Sequence, residues 1–72
     1  PESLEAQALA SDVDLLTGRV DEAFARIIEL VRRTSGDERN AAREHLLSLF
    51  LLVGDSDPRV AKARTALANA LF

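Results

Sequence analysis

The 72-residue sequence has no cysteine, methionine, tryptophan or tyrosine, and it holds one histidine, two prolines, three glycines and three phenylalanines. Without cysteine there is no disulfide, no thiol nucleophile and no Cys-ligated zinc, an inventory that fits a cytoplasmic protein. The lone histidine has no second imidazole or thiolate with which to build a metal site. Phenylalanine is the only aromatic available to stack bases, and a net charge of −3 offers no broad attraction for a phosphate backbone. Nucleic acid is thereby disfavoured as a partner. No run approaches the roughly 20 apolar residues of a membrane span, and the first residues lack the basic-then-apolar pattern of a signal peptide, so no membrane partner is expected.

What is present is 47% hydrophobic and 29% charged residues, enough apolar content for one small core and too short a chain for two. Such a chain folds with a margin of only several kcal/mol, about 0.05–0.15 kcal/mol per residue, and reads as a fragment of a longer protein. The acidic excess is local. Glu2, Glu5, Asp12, Asp14, Asp21, Glu22 and Glu29 face four arginines in residues 1–36, whereas residues 37–72 are balanced.

Turn-forming residues punctuate the chain at Thr17-Gly18, at Thr34-Ser35-Gly36-Asp37 and at Gly54-Asp55-Ser56-Asp57-Pro58. The segments between are rich in Ala, Leu, Arg and Glu without sustained alternation, which predicts helices over about 3–17, 20–34, 37–53 and 58–71. The fold class expected is all-α, with four antiparallel helices forming two stacked helical hairpins. Ser3 is placed to cap the first helix, whose thin apolar stripe comprises Leu4, Ala8, Leu15 and Leu16, and Gly18 is its stop. The second puts Val20, Phe24, Ile27 and Val31 on one face, widened by Ala23, Ile28 and Leu30, and supplies much of the core. Its outer pairs Glu22–Arg26 and Glu29–Arg33 are spaced for ion pairs worth about 0.2–0.5 kcal/mol each.

The third helix is nearly apolar all round at its end. Leu46, Leu49, Phe50 and Val53 define one face, while Leu51 and Leu52 lean toward the side of Glu44 and Ser48. One of those two could pack on the fourth helix and the other on a partner. Asp57 as N-cap and Pro58 at the first helical position open the fourth helix, and Val60, Ala63, Leu67 and Leu71 form its inward face. Arg64 falls near the middle of that face, its stem covering apolar surface and its guanidinium reaching an edge, an acid such as Glu44, or a partner. Phe72 is placed to dock.

Catalytic chemistry has little to work with. His45 reads as structural or surface, and Asp12 and Asp14, two apart on a helix, turn away from one another. Asp55 and Asp57 lack the rest of a calcium loop, and capping explains Asp57. The arginines Arg32, Arg33, Arg39, Arg43, Arg59 and Arg64 are not interleaved with aromatics. No catalytic residue, cofactor or metal is expected.

Gly18-Arg19-Val20-Asp21-Glu22-Ala23, followed by Phe24, Ile27 and Leu30, resembles the middle of a tetratricopeptide repeat. The stretch from Arg32 through Ala42-Arg43-Glu44-His45 to Phe50, with Asp57-Pro58-Arg59-Val60, is similar to the C-terminal tetratricopeptide-like domain of bacterial thioredoxin-family co-chaperones. That resemblance implies a thioredoxin-like half elsewhere in the protein, and partners among unfolded clients, a chaperonin or that half itself. This chain has no Cys-x-x-Cys, so it cannot itself exchange disulfides. In the first helix, Gln7, Ser11 and Asp14 stand where the repeat usually holds a large aromatic and a packing glycine.

The function expected is a non-catalytic protein-interaction domain that buries an apolar patch including Leu51 or Leu52, rimmed by Arg39, Arg43 and Glu44, with Leu16 and Phe72 as further contact residues. The alternative is a domain that docks on the thioredoxin-like half or on a second copy of itself.

Overall fold

A computed structural model describes residues 3–72. They form four helices: α1 (Leu4–Leu16), α2 (Val20–Arg33), α3 (Gly36–Val53) and α4 (Pro58–Leu71). The two hairpins α1/α2 and α3/α4 stack so that α2 packs against all three other helices, α1 also lies against α3, and α1 and α4 do not touch. The molecule is a slab of 30 × 25 × 15 Å, thin enough that every helix keeps an outward face.

Local chemistry sets the boundaries. The Ser3 hydroxyl accepts from the Ala6 amide at 3.1 Å, and the Asp57 carboxylate accepts from the Arg59 amide at 2.8 Å, so both caps fall where the sequence puts them. α1 stops at Gly18, whose φ of 82° lies in the left-handed region. There the Arg19 amide donates to the Asp14 carbonyl at 2.7 Å. α2 has no side-chain cap, but Asp21 and Glu22 in its first turn and Arg32 and Arg33 in its last suit the helix dipole.

The core is assembled on α2, whose Ala23, Phe24, Ile27, Ile28, Leu30 and Val31 are all buried. α3 adds Ala42, Leu46, Leu49 and Phe50, and α4 adds Val60, Ala63 and Leu67. The Phe24 and Phe50 rings meet edge to face with centroids 5.0 Å apart, the arrangement favoured by their quadrupoles. None of the apolar side chains of α1 is fully buried; Leu4 and Leu15 only lean on the core. Its buried side chains are Gln7, Ser11 and Asp14.

Several expectations give way to this packing. Arg26 turns from Glu22 toward α1, where its Nε donates to Asp14 at 3.1 Å and its Nη1 to Gln7 at 3.2 Å, because two buried acceptors there need a donor. Glu29 pairs with Arg32, three residues on, at 3.4 Å instead of Arg33. Arg64 is exposed: its guanidinium carbon stands 5.0 Å from the Phe50 ring centre and its Nη2 donates to Asp55 at 2.8 Å. Glu44 bonds Asn40 on the outer side of α3, which leaves Asp55 as the acid that Arg64 meets. Neither Leu51 nor Leu52 packs under α4, since Leu46, Leu49 and Phe50 already fill the inner face of α3. Leu16 is likewise on the outside of α1, and Phe72 is fully exposed one residue past the end of α4.

Candidate protein-interaction surface

Among the depressions that the described residues form, one of about 370 Å³ is an open groove between α1 and α3 lined by Asp12, Leu15, Leu16, His45, Ser48, Leu49 and Leu52. Helical geometry explains the gathering: Asp12, Leu15 and Leu16 recur at three- and four-residue spacing on α1, as do His45, Ser48, Leu49 and Leu52 on α3. The two helices are tied across the groove by His45 Nε2 and Asp12 Oδ1, 2.9 Å apart. Leu15 and Leu49 lie deeper, while Leu16 and Leu52 stand up from the walls.

Exposure singles out the leucines. Leu16 is 86% exposed, Leu51 80% and Leu52 75%, each far above what burial in a monomer core leaves open. Leu16 and Leu52 share the groove, whereas Leu51 projects about 100° away from Leu52 around α3, outside it.

The charged residues expected to rim this patch are elsewhere. Arg39 and Arg43, with Gly36, Asn40 and Leu71, line a separate depression of about 180 Å³ beside the end of α4. Arg43 and Leu52 are nine residues apart on one helix, roughly 13 Å along its axis. Arg43 donates to Asn40 Oδ1 at 2.9 Å, and Asn40 donates to Glu44 at 3.0 Å, so this trio is a local network on the first half of α3. Phe72 lines none of these depressions. The groove is edged instead by Asp12, His45 and Ser48.

A further depression, about 220 Å³, lies between α2 and α4 among Asp21, Phe24, Ile28, Arg59 and Ala63. Near it the Arg59 side chain and amide both bond Asp57, which holds that carboxyl at a pKa of about 2, below the usual carboxylate value of 3.8. Asp57 in turn keeps Arg59 protonated to still higher pH, helped by the charge of Asp21.

Reading from composition missed Leu9 and Val13, which are exposed on the same side of α1 as Leu16. Their signal was in the sequence: positions 9, 13 and 16 recur at i, i+4, i+7, a stripe of its own. Among the described residues no group of three or more His, Cys, Asp or Glu side chains could hold a metal ion, and no helix is long and apolar enough to cross a membrane.

Two stacked helical hairpins sharing one core through α2 define a helical-repeat domain, a class that works by presenting surface rather than by catalysis. The match to tetratricopeptide repeats extends over residues 1–72, and the chain belongs to that family. It is also 46% identical over 71 residues to the uncharacterized protein Mb1359 of Mycobacterium bovis and to the uncharacterized proteins MT1366 and Rv1324 of Mycobacterium tuberculosis. Those 71 residues are 99% of this chain and 23% of each relative, so the chain spans about a quarter of the proteins it matches. No solved structure matches it significantly.

Proposed function

We propose that this chain is the contact-making part of a longer protein and acts by burying the leucines of the α1/α3 groove, with Leu51 beside it, against another polypeptide. The observation that carries this reading is the pairing of Leu16 and Leu52 on opposite walls of one open apolar groove. The longer protein reads as a thioredoxin-family co-chaperone, on the similarity of the Arg32-to-Phe50 and Asp57-to-Val60 segments. The partner is then an unfolded client, a chaperonin or the thioredoxin-like half. The curated relatives, about four times longer than this chain, have room for such a half. Its presence or absence in the full reading frame tests that part of the proposal directly.

The groove is tested by titrating the chain with a permanently unfolded, alkylated protein. Leu52→Asp and Leu16→Asp are expected to weaken binding at least about tenfold, and unchanged affinity in both refutes the groove. A second reading, docking on the parent or on a second copy, rests on Leu51, which is exposed outside the groove. Concentration-dependent sedimentation that disappears in Leu51→Asp supports it. Monomers of both forms eliminate the second-copy version.

A further inference from the structure

α1 is polar inside and apolar outside. Gln7, Ser11 and Asp14 face the core and are buried, while Leu9 and Val13 on the opposite side are 65% and 51% exposed and run into Leu16. Side chains at i, i+4 and i+7 lie in one stripe two turns long, which is the footprint another helix reads. The stripe is open to solvent along its length, with Leu16 at its end also bordering the groove toward α3.

Charge narrows the occupant. α1 contains no Lys or Arg, its outer side carries Glu5 and Asp12, and the net −3 of the whole chain arises within residues 1–36. A second copy docking by a two-fold axis through the same stripe would bring Asp12 close to its own equivalent, and its α1 would supply no Lys or Arg to answer either acid. A helix whose apolar stripe is flanked by Lys and Arg meets both features at once.

We propose that the Leu9, Val13 and Leu16 stripe of α1 is a docking site for a cationic amphipathic helix. This rests on the interaction-domain reading but centres on Leu9 and Val13, with Leu16 shared between stripe and groove. Leu9 and Val13 lie outside the α1/α3 groove and Leu52 lies outside the stripe, so the two surfaces fail separately.

The probe is a synthetic amphipathic helix of about eighteen residues, leucine on one face and lysine flanking it, titrated calorimetrically into the chain at moderate salt. One-to-one binding is expected, at least about tenfold weaker for the Leu9→Ser/Val13→Ser double variant and within about twofold for Leu52→Asp. A counterpart with glutamate in place of lysine is expected to bind at least about tenfold more weakly. Equal affinity of the double variant overturns the proposal. So does equal binding of the glutamate peptide, or of a lysine peptide of the same composition whose leucines share no face. A dimer of the chain alone that is lost in the double variant makes the occupant a second copy and overturns it as well. Leu9→Gln/Val13→Gln serves as the second variant. Loss of helicity in both pairs would contradict their outward placement and end the argument.

Discussion

The attachment of α1 depends on a polar contact that a single substitution can break. Arg26 reaches from α2 to Asp14 at 3.1 Å and to Gln7 at 3.2 Å. The Asp14 side chain is 11% exposed and that of Arg26 36%, so the acid is nearly dry and the base is partly wet. Removing one partner of a fully buried pair costs about 3–5 kcal/mol, because the other charge is stranded. Arg26 lies at the edge of the site, so its truncation lets water in to the stranded Asp14, which brings the expectation for Arg26→Ala down to about 2 kcal/mol. In a domain of this length, whose total stability is about 4–11 kcal/mol, that is a large share. It corresponds to a melting temperature lower by about 8–16 °C.

Urea unfolding followed by circular dichroism measures the effect. With a slope of about 1–1.5 kcal/mol/M, the midpoint falls by about 1.3–2 M. Replacing the whole group by Gln7→Leu, Asp14→Leu and Arg26→Met is expected to be neutral or stabilising by up to about 2 kcal/mol, since the desolvation penalty goes with the charges. The reasoning is refuted if Arg26→Ala lies within about 0.5 kcal/mol of the parent chain, or if an Asp14→Ala/Arg26→Ala cycle shows coupling below about 0.3 kcal/mol.

Other positions give sharper local tests. Asp57 titrates at about 2 in the folded chain because Arg59 bonds its carboxylate, below the usual 3.8, so its contribution is complete above about pH 4 and is lost as pH falls toward 2. Carboxyl NMR checks the midpoint, which Arg59→Ala is expected to move upward. Gly54 sits at φ 103° and ψ 141°, a region that side chains avoid, so Gly54→Ala is expected to cost about 1–3 kcal/mol although a Cβ there meets nothing within 4 Å. Thermal unfolding separates this strain from packing, and an unchanged melting point refutes it. Phe50→Ala removes a fully buried ring that touches Phe24 and carries Arg64 above it, for an expected loss of about 3–5 kcal/mol by denaturant titration.

How far these features were legible depends on the range of the interaction. The core face of α2 could be counted off directly, because Phe24, Ile27, Ile28 and Val31 follow the helical period and their burial needs no knowledge of what lies opposite. Asp57-Pro58 and Gly18 declare boundaries through local stereochemistry. α1 was legible in its limits but not in its orientation. Its outward Leu16 looks apolar enough for an inward stripe, and only the arrival of Arg26 from twelve residues beyond Asp14 makes burial of the polar side acceptable. Arg64 is a similar case: its spacing from Val60 puts it near the inward face, and the Phe50 ring and Asp55 draw its head to the edge. The Leu16–Leu52 groove needs α1 and α3 to be neighbours, a fact of stacking that spacing within either helix does not contain.

The inverted polarity of α1 ties stability to contact. A helix that gives the core only half-buried apolar side chains is held by the Asp14–Arg26 pair, by the His45–Asp12 bridge and by the lean of Leu4 and Leu15, so little buried apolar surface opposes its local opening. Both exposed apolar surfaces nevertheless include α1, and Leu16 belongs to both. A polypeptide that binds only when α1 is docked stabilises that docking by RT ln(1 + [L]/Kd), about 2.7 kcal/mol at a hundredfold excess over Kd, comparable with the expected loss in Arg26→Ala. Occupation of either surface therefore restores protection to α1 amides in an Arg26→Ala chain, and hydrogen exchange reads it helix by helix. If α1 amides in that variant stay as open with ligand as without, the ligand is held by α2 to α4 alone, and neither the groove nor the stripe is where it sits.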